Sequence, residues 1–399
     1  MTADMVTDPP SRAQPSRAQL SHARLSHTLA AIEAGAAAAD REGRDLGPEI
    51  DRLREVGVFT ACLPPAEGGF GLGLGRDPQT TRMAFDLLLR LGRASLPVAR
   101  LVEGHIDAVK LVTLHGSPAQ IAEMAAGVRA GGLLGVWGAD DQPPLTAAPS
   151  TAADAPHRLS FTGAKRFASG LGLVTQTVVT FRLGQETATR LALLPVMDRR
   201  RHRRQDWRAA GMRATASGRH DFTGLEAGPG ALLGGPGDYQ RPPHFDGGIW
   251  RYCAAHLGGA QALIEAWRRR LDARRRLDDP FQLARLARAV GLVQAAVSRL
   301  EVVALAVEAA GADTSASAAR IDAAVTDALL ARQLVEEICV EVLRLSEAAL
   351  GTDAHMTDQP VERLRRDLSL FIRQAAPDAR LVAAGRALAD CAAREGGLW

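Results

Sequence analysis

Leu133-Leu134-Gly135-Val136-Trp137, Arg158-Leu159-Ser160-Phe161-Thr162, Val178-Val179-Thr180-Phe181 and Arg190-Leu191-Ala192-Leu193-Leu194 are short apolar or alternating runs. Gly, Pro and Asp punctuate them, so the pattern predicts strands of a small barrel or sandwich between about 132 and 235. On either side the apolar period changes to that of helices. Few soluble folds insert a β segment between two helical ones, so this order is informative. The expected class is α+β multidomain. An N-terminal helical domain covers 26–131, a central β-domain 132–235, and a C-terminal up-down helical bundle 236–399.

In the first helical part, Ser26 is expected to cap a helix that begins with Leu29 and Ile32. Pro48 suits a first helical turn ahead of Ile50, Leu53 and Val56, with Gly57 as the stop. Further helices are expected around 79–93 and 98–115. After Pro242 three apolar stripes step by three and four. They are Leu257, Ala260, Ile264, Trp267, Leu271, then Leu283, Leu286, Val290, Val293, Val297, Leu300, then Leu334, Ile338, Val342, Leu345, Ala349 before Gly351. Such stripes are the core seams of an antiparallel bundle. Residues 1–25 repeat Ser-Arg-Ala-Gln at Ser11 and Ser16 between prolines and read as a disordered tail.

The 399-residue chain is 46% hydrophobic and 23% charged, which excludes a disordered or collagenous protein. Only Lys110 and Lys165 are lysines, so nearly all of the 48 basic residues are arginine, against 45 acids. Arg199–Arg204 and Arg268–Arg276 hold the densest arginine clusters. Without stacking aromatics or a reading helix they are expected to be solvated, salt-bridged faces, not a nucleic-acid surface. No run of 18 apolar residues predicts a membrane span, and no compact apolar segment opens the chain. Cys62, Cys253, Cys339 and Cys391 form no close pair, which fits free thiols in a reducing cytoplasm.

Three motif readings are set aside. Gly68-Gly69-Phe70-Gly71-Leu72-Gly73-Leu74-Gly75 lacks the preceding strand and the Gly-Lys-Ser/Thr end of a phosphate loop, so a structural loop is expected. Asp353, His355 and Asp358 are three mixed ligands in one loop, too few for a metal centre, and no metal is expected. Ser217, His220 and Asp221 lie close together without a Gly-x-Ser-x-Gly elbow.

The helix, sheet, helix order resembles the acyl-CoA dehydrogenase superfamily from about residue 45 onward. Glu49–Val58 followed by Leu63-Pro64-Pro65-Ala66-Glu67-Gly68-Gly69-Phe70-Gly71 is similar to that family's Gly-terminated helix and Pro-x-x-x-Gly-Gly-x-Gly loop. Gly163-Ala164-Lys165-Arg166-Phe167-Ala168-Ser169-Gly170 resembles its strand after Gly-x-Lys, which lies against a flavin. Trp207–Gly211 and Asp221-Phe222 resemble closing strands of the barrel, and Arg363–Asp367 the Arg-Asp before the last active-site loop.

The resemblance implies a flavoprotein with FAD, acting as a homodimer or homotetramer joined through the C-terminal bundle. It implies an acyl thioester as substrate, oxidised at its α,β bond with hydride transfer to the flavin. Cofactor contacts fall to Trp137 and Ala139 in the loop after the first strand, and to Phe167 and Ser169. Arg274, Arg276 and Gln282 correspond to residues that reach a neighbour's cofactor phosphates. Substrate contacts fall to Arg251, Arg373 and Gln374.

The departures lie at the catalytic base. One family position for that Glu falls at Ala375 and the other at Trp250, just before Arg251. The nearest carboxylate in the final loop is Asp378, a relocated base or else the cap of a helix. The flavin loop, Trp137–Pro144, also lacks the family's Thr-Glu-Pro and Gly-Ser-Asp. Two alternatives therefore accompany the dehydrogenase reading: a reduced-flavin-dependent monooxygenase of the same fold, which needs no α-proton base, and a non-catalytic partner subunit.

Overall fold

The structure, a computed structural model, describes residues 22–151, 157–374 and 376–395. The expected tail, 1–25, lies outside them except for 22–25, which already belong to the first helix; Ala375 also lies outside.

Helices α1 (His22–Glu42), α2 (Gly47–Glu55), α3 (Val58–Ala61), α4 (Pro78–Ala94), α5 (Leu96–His115) and α6 (Pro118–Arg129) form the first part. Local signals set most of their ends. Asp77, Ser95 and Ser117 accept hydrogen bonds from first-turn N–H groups of α4, α5 and α6, each followed by a proline. Gly57 ends α2 with φ 79°, a value that favours glycine. Ser26 is not a cap: it lies inside α1, its hydroxyl donating to the His22 carbonyl.

Ten strands follow: β1 (Leu134–Trp137), β2 (Thr146–Pro149), β3 (Leu159–Thr162), β4 (Ala164–Lys165), β5 (Gln176–Leu183), β6 (Arg190–Pro195), β7 (His202–Arg203), β8 (Arg219–Asp221), β9 (Glu226–Ala227) and β10 (Leu232–Leu233). One sheet runs β10-β6-β5-β2-β3-β9, with β1 parallel to β5 and Trp137 opposite Val179. A second, smaller sheet runs β4-β8-β7. All four expected strand runs are strands. Trp207–Gly211 is not one; the small sheet is closed by β7 and β8. The reason is steric, because a Cβ on Gly211 would come within 2.1 Å of the Arg366 carbonyl oxygen. Here the chain crosses backbone to backbone over a helix of the bundle, so it cannot pair as a strand.

The C-terminal part contains α7 (His244–Gly247), α8 (Trp250–Ala273), α9 (Pro280–Ala312), α10 (Ala318–Leu350), α11 (Pro360–Phe371) and α12 (Pro377–Glu395). The α8 stripe from Leu257 to Leu271 is buried throughout. On α9 the core seam is Ala289, Val293, Ala296, Leu300, Val303, Ala304 and Val307, while Leu283 and Val290 of the expected stripe are exposed. α9 is apolar on more than one face, and only one face meets α8 and α10. By length and composition α9 could cross a membrane; here it packs in the bundle. The arginine clusters are ion-paired surface, for example Arg200 with Asp198 and Arg268 with Glu265.

α8 packs closely on α4 because glycines meet there. A Cβ on Gly92 would lie 2.1 Å from the Ala255 carbonyl oxygen, and one on Gly258 2.0 Å from that of Leu89. Gly258→Val should therefore force α4 and α8 apart and cost about 3 kcal/mol, read as a lower urea midpoint.

Candidate functional site

A cavity of about 830 Å³ lies between the three parts, within the range of small-molecule sites.

The β-domain supplies one wall. β1 ends in Trp137, and the chain continues through Gly138 and Ala139 along the cavity. Lys165 of β4, wholly buried, holds this loop: its Nζ donates to the Gly138 carbonyl at 3.2 Å, Thr180 Oγ1 at 2.9 Å and Asp140 Oδ1 at 2.6 Å. Burial draws the ammonium pKa down while Asp140 opposes that shift. Trp137 Nε1 donates to the Ser169 carbonyl at 3.1 Å, and the Ser169 and Ser217 hydroxyls are 3.0 Å apart. Phe167 takes φ 55° and is 52% exposed. The Arg166 guanidinium lies 4.6 Å from that ring's centroid, and Trp207 meets the ring edge-on. An exposed aromatic held in the left-handed region is costly, so tertiary contacts must fix it there.

α5 supplies a second wall. Arg100, Glu103, Asp107 and Lys110 recur at steps of three and four on one helical face. Behind them stands a buried ionic knot. Glu308 of α9 accepts from Arg251 Nη2 at 2.6 Å and Trp250 Nε1 at 3.0 Å on one oxygen, and from Lys110 on the other. Arg251 also reaches the Gly73 carbonyl at 3.4 Å. The glycine loop is structural, as expected, and a Cβ on Gly75 would lie 1.9 Å from Glu308 Oε2. The two cations hold the Glu308 carboxyl below its usual range despite burial. Burial lowers Lys110 to about 8, and burial plus the neighbouring Glu103 charge raises Asp107 to about 8.

The third wall is the end of α11 and the loop to α12, with Phe371, Arg373, Gln374 and Ala376. Arg332 donates to the carbonyls of Ile372 at 2.9 Å and Gln374 at 3.2 Å, and Arg373 pairs with Glu336 at 2.5 Å. Asp367 Oδ1 accepts the Met212 N–H at 2.6 Å, tying α11 to the loop that bears Trp207.

Of the residues singled out from sequence, Trp137, Ala139, Phe167, Ser169, Arg251, Arg373 and Gln374 line this cavity. Asp378 does not: it is exposed in the first turn of α12, which turns Arg380 to the cavity instead. Two positions apart on a helix face different ways, so both cannot point inward. Arg274, Arg276 and Gln282 are also elsewhere, around the α8–α9 turn. Arg274 pairs with Asp353 at 2.6 Å, Arg276 with Asp279 at 3.2 Å, and Gln282 Nε2 donates to the Ala349 carbonyl at 3.3 Å. α8 is about 36 Å long, so its far end cannot share a site with Arg251 in one chain. Asp353 is occupied by arginines, and the His220 ring is buried against Trp137, His202 and Phe222 without a hydrogen bond.

Glu103, Asp107, Lys110 and Glu308 escape sequence reasoning. Their signal is a run of ionisable residues on the buried face of an otherwise apolar helix, and it becomes legible only once that face is known.

Residues 251–378 match the family described as acyl-CoA dehydrogenase, C-terminal domain. Among curated proteins no sequence match is found. Several solved structures share the fold. Dibenzothiophene monooxygenase TdsC from Paenibacillus sp. A11-2 is 21% identical, with TM-score 0.78 over 92% of this chain and 96% of its own; it has also been solved bound to FMN and to FMN with indole. KijD3, in complex with FMN and dTDP-3-amino-2,3,6-trideoxy-4-keto-3-methyl-D-glucose, is 21% identical, with TM-score 0.78 over 96% and 95%. Methanesulfinate monooxygenase MsuC from Pseudomonas fluorescens is 17% identical, with TM-score 0.78 over 91% and 95%.

Two outcomes are expected from the ionic wall. Glu308→Gln leaves Arg251 and Lys110 without a counter-charge and should cost about 3–5 kcal/mol in urea unfolding. Asp107 binds its proton more tightly folded than unfolded, so between its usual carboxylate range and about pH 8 it lowers stability as pH rises. Asp107→Asn should flatten the fall of stability over that window in pH-dependent melting.

Proposed function

We propose that this chain, whose residues 251–378 match the acyl-CoA dehydrogenase C-terminal domain and whose fold is that of TdsC, is a reduced-flavin-dependent monooxygenase that uses FMN. The observation that carries this reading is the base. The superfamily's two positions for it hold Ala375 and Trp250, and the final loop turns Arg373, Gln374 and Ala376 to the cavity. An oxygenase needs no carboxylate there. The likeness to TdsC, KijD3 and MsuC supports the same choice.

The β-domain wall fits a flavin. Trp137 and Phe167 offer flat apolar surface, and the Ser169, Ser217 and Thr215 hydroxyls line the same cavity as donors and acceptors. Arg166 and Arg373 are exposed cations at its edge, suited to a phosphate. Bound in its two-electron-reduced form, the flavin supplies the electrons that activate dioxygen. The chain's own part is positioning and exclusion of water. Lys165 fixes the 138–140 loop, Arg332 fixes the loop after α11, and Tyr252, Phe371 and Ile249 keep the interior apolar.

FMN, not FAD, is the flavin named in the complexes of the fold neighbours TdsC and KijD3, which supports the same choice here. The exposed apolar residues of α9, Phe281, Leu283, Val290 and Val302, suit a homodimer or homotetramer that buries them. The buried, well-separated thiols of Cys62, Cys253 and Cys339 suit a reducing cytoplasm.

FMN should quench tryptophan fluorescence on binding, and Phe167→Ala should weaken it about tenfold through loss of ring contact. Protein supplied with reduced FMN and oxygen should oxygenate a small aromatic such as indole. Bleaching of bound flavin by acyl-CoA thioesters without oxygen would instead support a dehydrogenase.

A further inference from the structure

We propose that α12 is a lid on the cavity, hinged at Ala376 and latched to α7 through Arg380, and that ligand enters when the latch releases. Its action as a lid goes beyond the monooxygenase reading and holds whatever reaction the cavity performs. α12 is a 19-residue helix that buries little of itself. It lies along α10, yet among residues 377–391 Ala384 alone is buried. Leu381 and Val382 are exposed. A helix that buries so little apolar area gains little from staying docked, so it detaches at small cost compared with unfolding of the bundle.

The chain before α12 is held differently. Arg332 grips the Ile372 and Gln374 carbonyls, so the anchored loop ends just short of Ala376. Ala376 takes φ 54°, in the left-handed region that strains an alanine. Its carbonyl accepts the Arg380 N–H at 3.2 Å as α12 begins. A strained joint between an anchored loop and a lightly packed helix is the place where a hinge rotation is absorbed.

Arg380 is the described α12 residue that reaches the cavity. Its guanidinium pairs with Asp246 of α7 and lies 4.7 Å from the centroid of the Phe245 ring. Phe245 in turn meets Tyr239, with 4.6 Å between ring centroids. The Tyr239 hydroxyl sits over Gly138, where an added Cβ would lie 3.4 Å from it. Gly138, Tyr239, Phe245 and Arg380 all line the cavity, so they form an arch of contacts from the β-domain wall to α12. The Arg380 and Asp246 side chains are 19% and 33% exposed, so water partly screens their pair. Ion pair and ring contact together favour the closed lid about tenfold, a bias small enough to be reversible. Closed, the arch keeps water from the interior; open, it leaves a passage between α7 and α12.

Hydrogen–deuterium exchange of the full chain tests this, with α8 and α10 as internal references. In the wild type, α12 amides should exchange through openings that leave α8 and α10 protected. Arg380→Ala should raise α12 exchange about tenfold and leave α8 and α10 unchanged. Asp246→Asn, on the other side of the latch, should do the same to a smaller degree. Arg386→Ala, exposed on the same helix, should leave exchange as in the wild type. Association of oxidised FMN, followed by tryptophan quenching in stopped flow, should be faster in both latch variants. Three exchange results would overturn the proposal: α12 amides as protected as those of α10, an equal rise in all three helices, or a response to Arg386→Ala as large as to Arg380→Ala. An unchanged FMN association rate beside a faster-exchanging α12 would overturn it too. If Arg380→Ala does not fold, Asp246→Asn decides by the same readings. FMN that binds none of these proteins would sink the flavin reading, and α12 exchange would still decide the lid.

Discussion

One carboxylate holds the interior together. Glu308 accepts from Arg251 and Trp250 at the head of α8 and from Lys110 on α5, while α9 carries it in from the bundle. Three elements remote in sequence thus converge on two oxygen atoms. Isolated, each of these ions would be forbidden in such a place; together they satisfy one another. The glycine loop exists to admit this group, since any side chain at Gly75 would occupy the place of its oxygen. The orientation of the α5 face, and with it the whole inner wall, follows from that meeting.

The same device recurs around the site at smaller scale. Lys165 gathers the Gly138 carbonyl, Arg332 those of Ile372 and Gln374, and Asp367 the Met212 amide. Each is a buried charged side chain that satisfies backbone groups of a loop instead of a neighbouring helix or strand. Loops held this way behave as rigid surface, which a binding wall requires. Burial raises the Asp367 carboxyl to about 6, so its hold on Met212 is strongest where it is ionised.

The order helix, sheet, helix was legible because strand runs such as Val178–Phe181 carry their period in a few residues. Seven of the residues that the family resemblance singled out also line the cavity, because the resemblance follows the strand ends and loops that border it. The failures have physical causes. Asp378 sits beside the right loop, but helix geometry turns it outward. Leu283 and Val290 have core spacing, yet α9 has more apolar surface than one chain can cover. Glu103 and Asp107 went unremarked, because nothing local tells a buried helix face from an open one.

The cavity is bounded by Arg100 at one extreme of the sequence and Arg380 at the other, with the β-domain between them. Its walls come from segments far apart in sequence, so no partly folded chain contains it. Ligand binding therefore acts on the folded state as a whole, raising its population by mass action. A tight ligand will be felt as resistance to unfolding in every layer at once, including helices that never touch it.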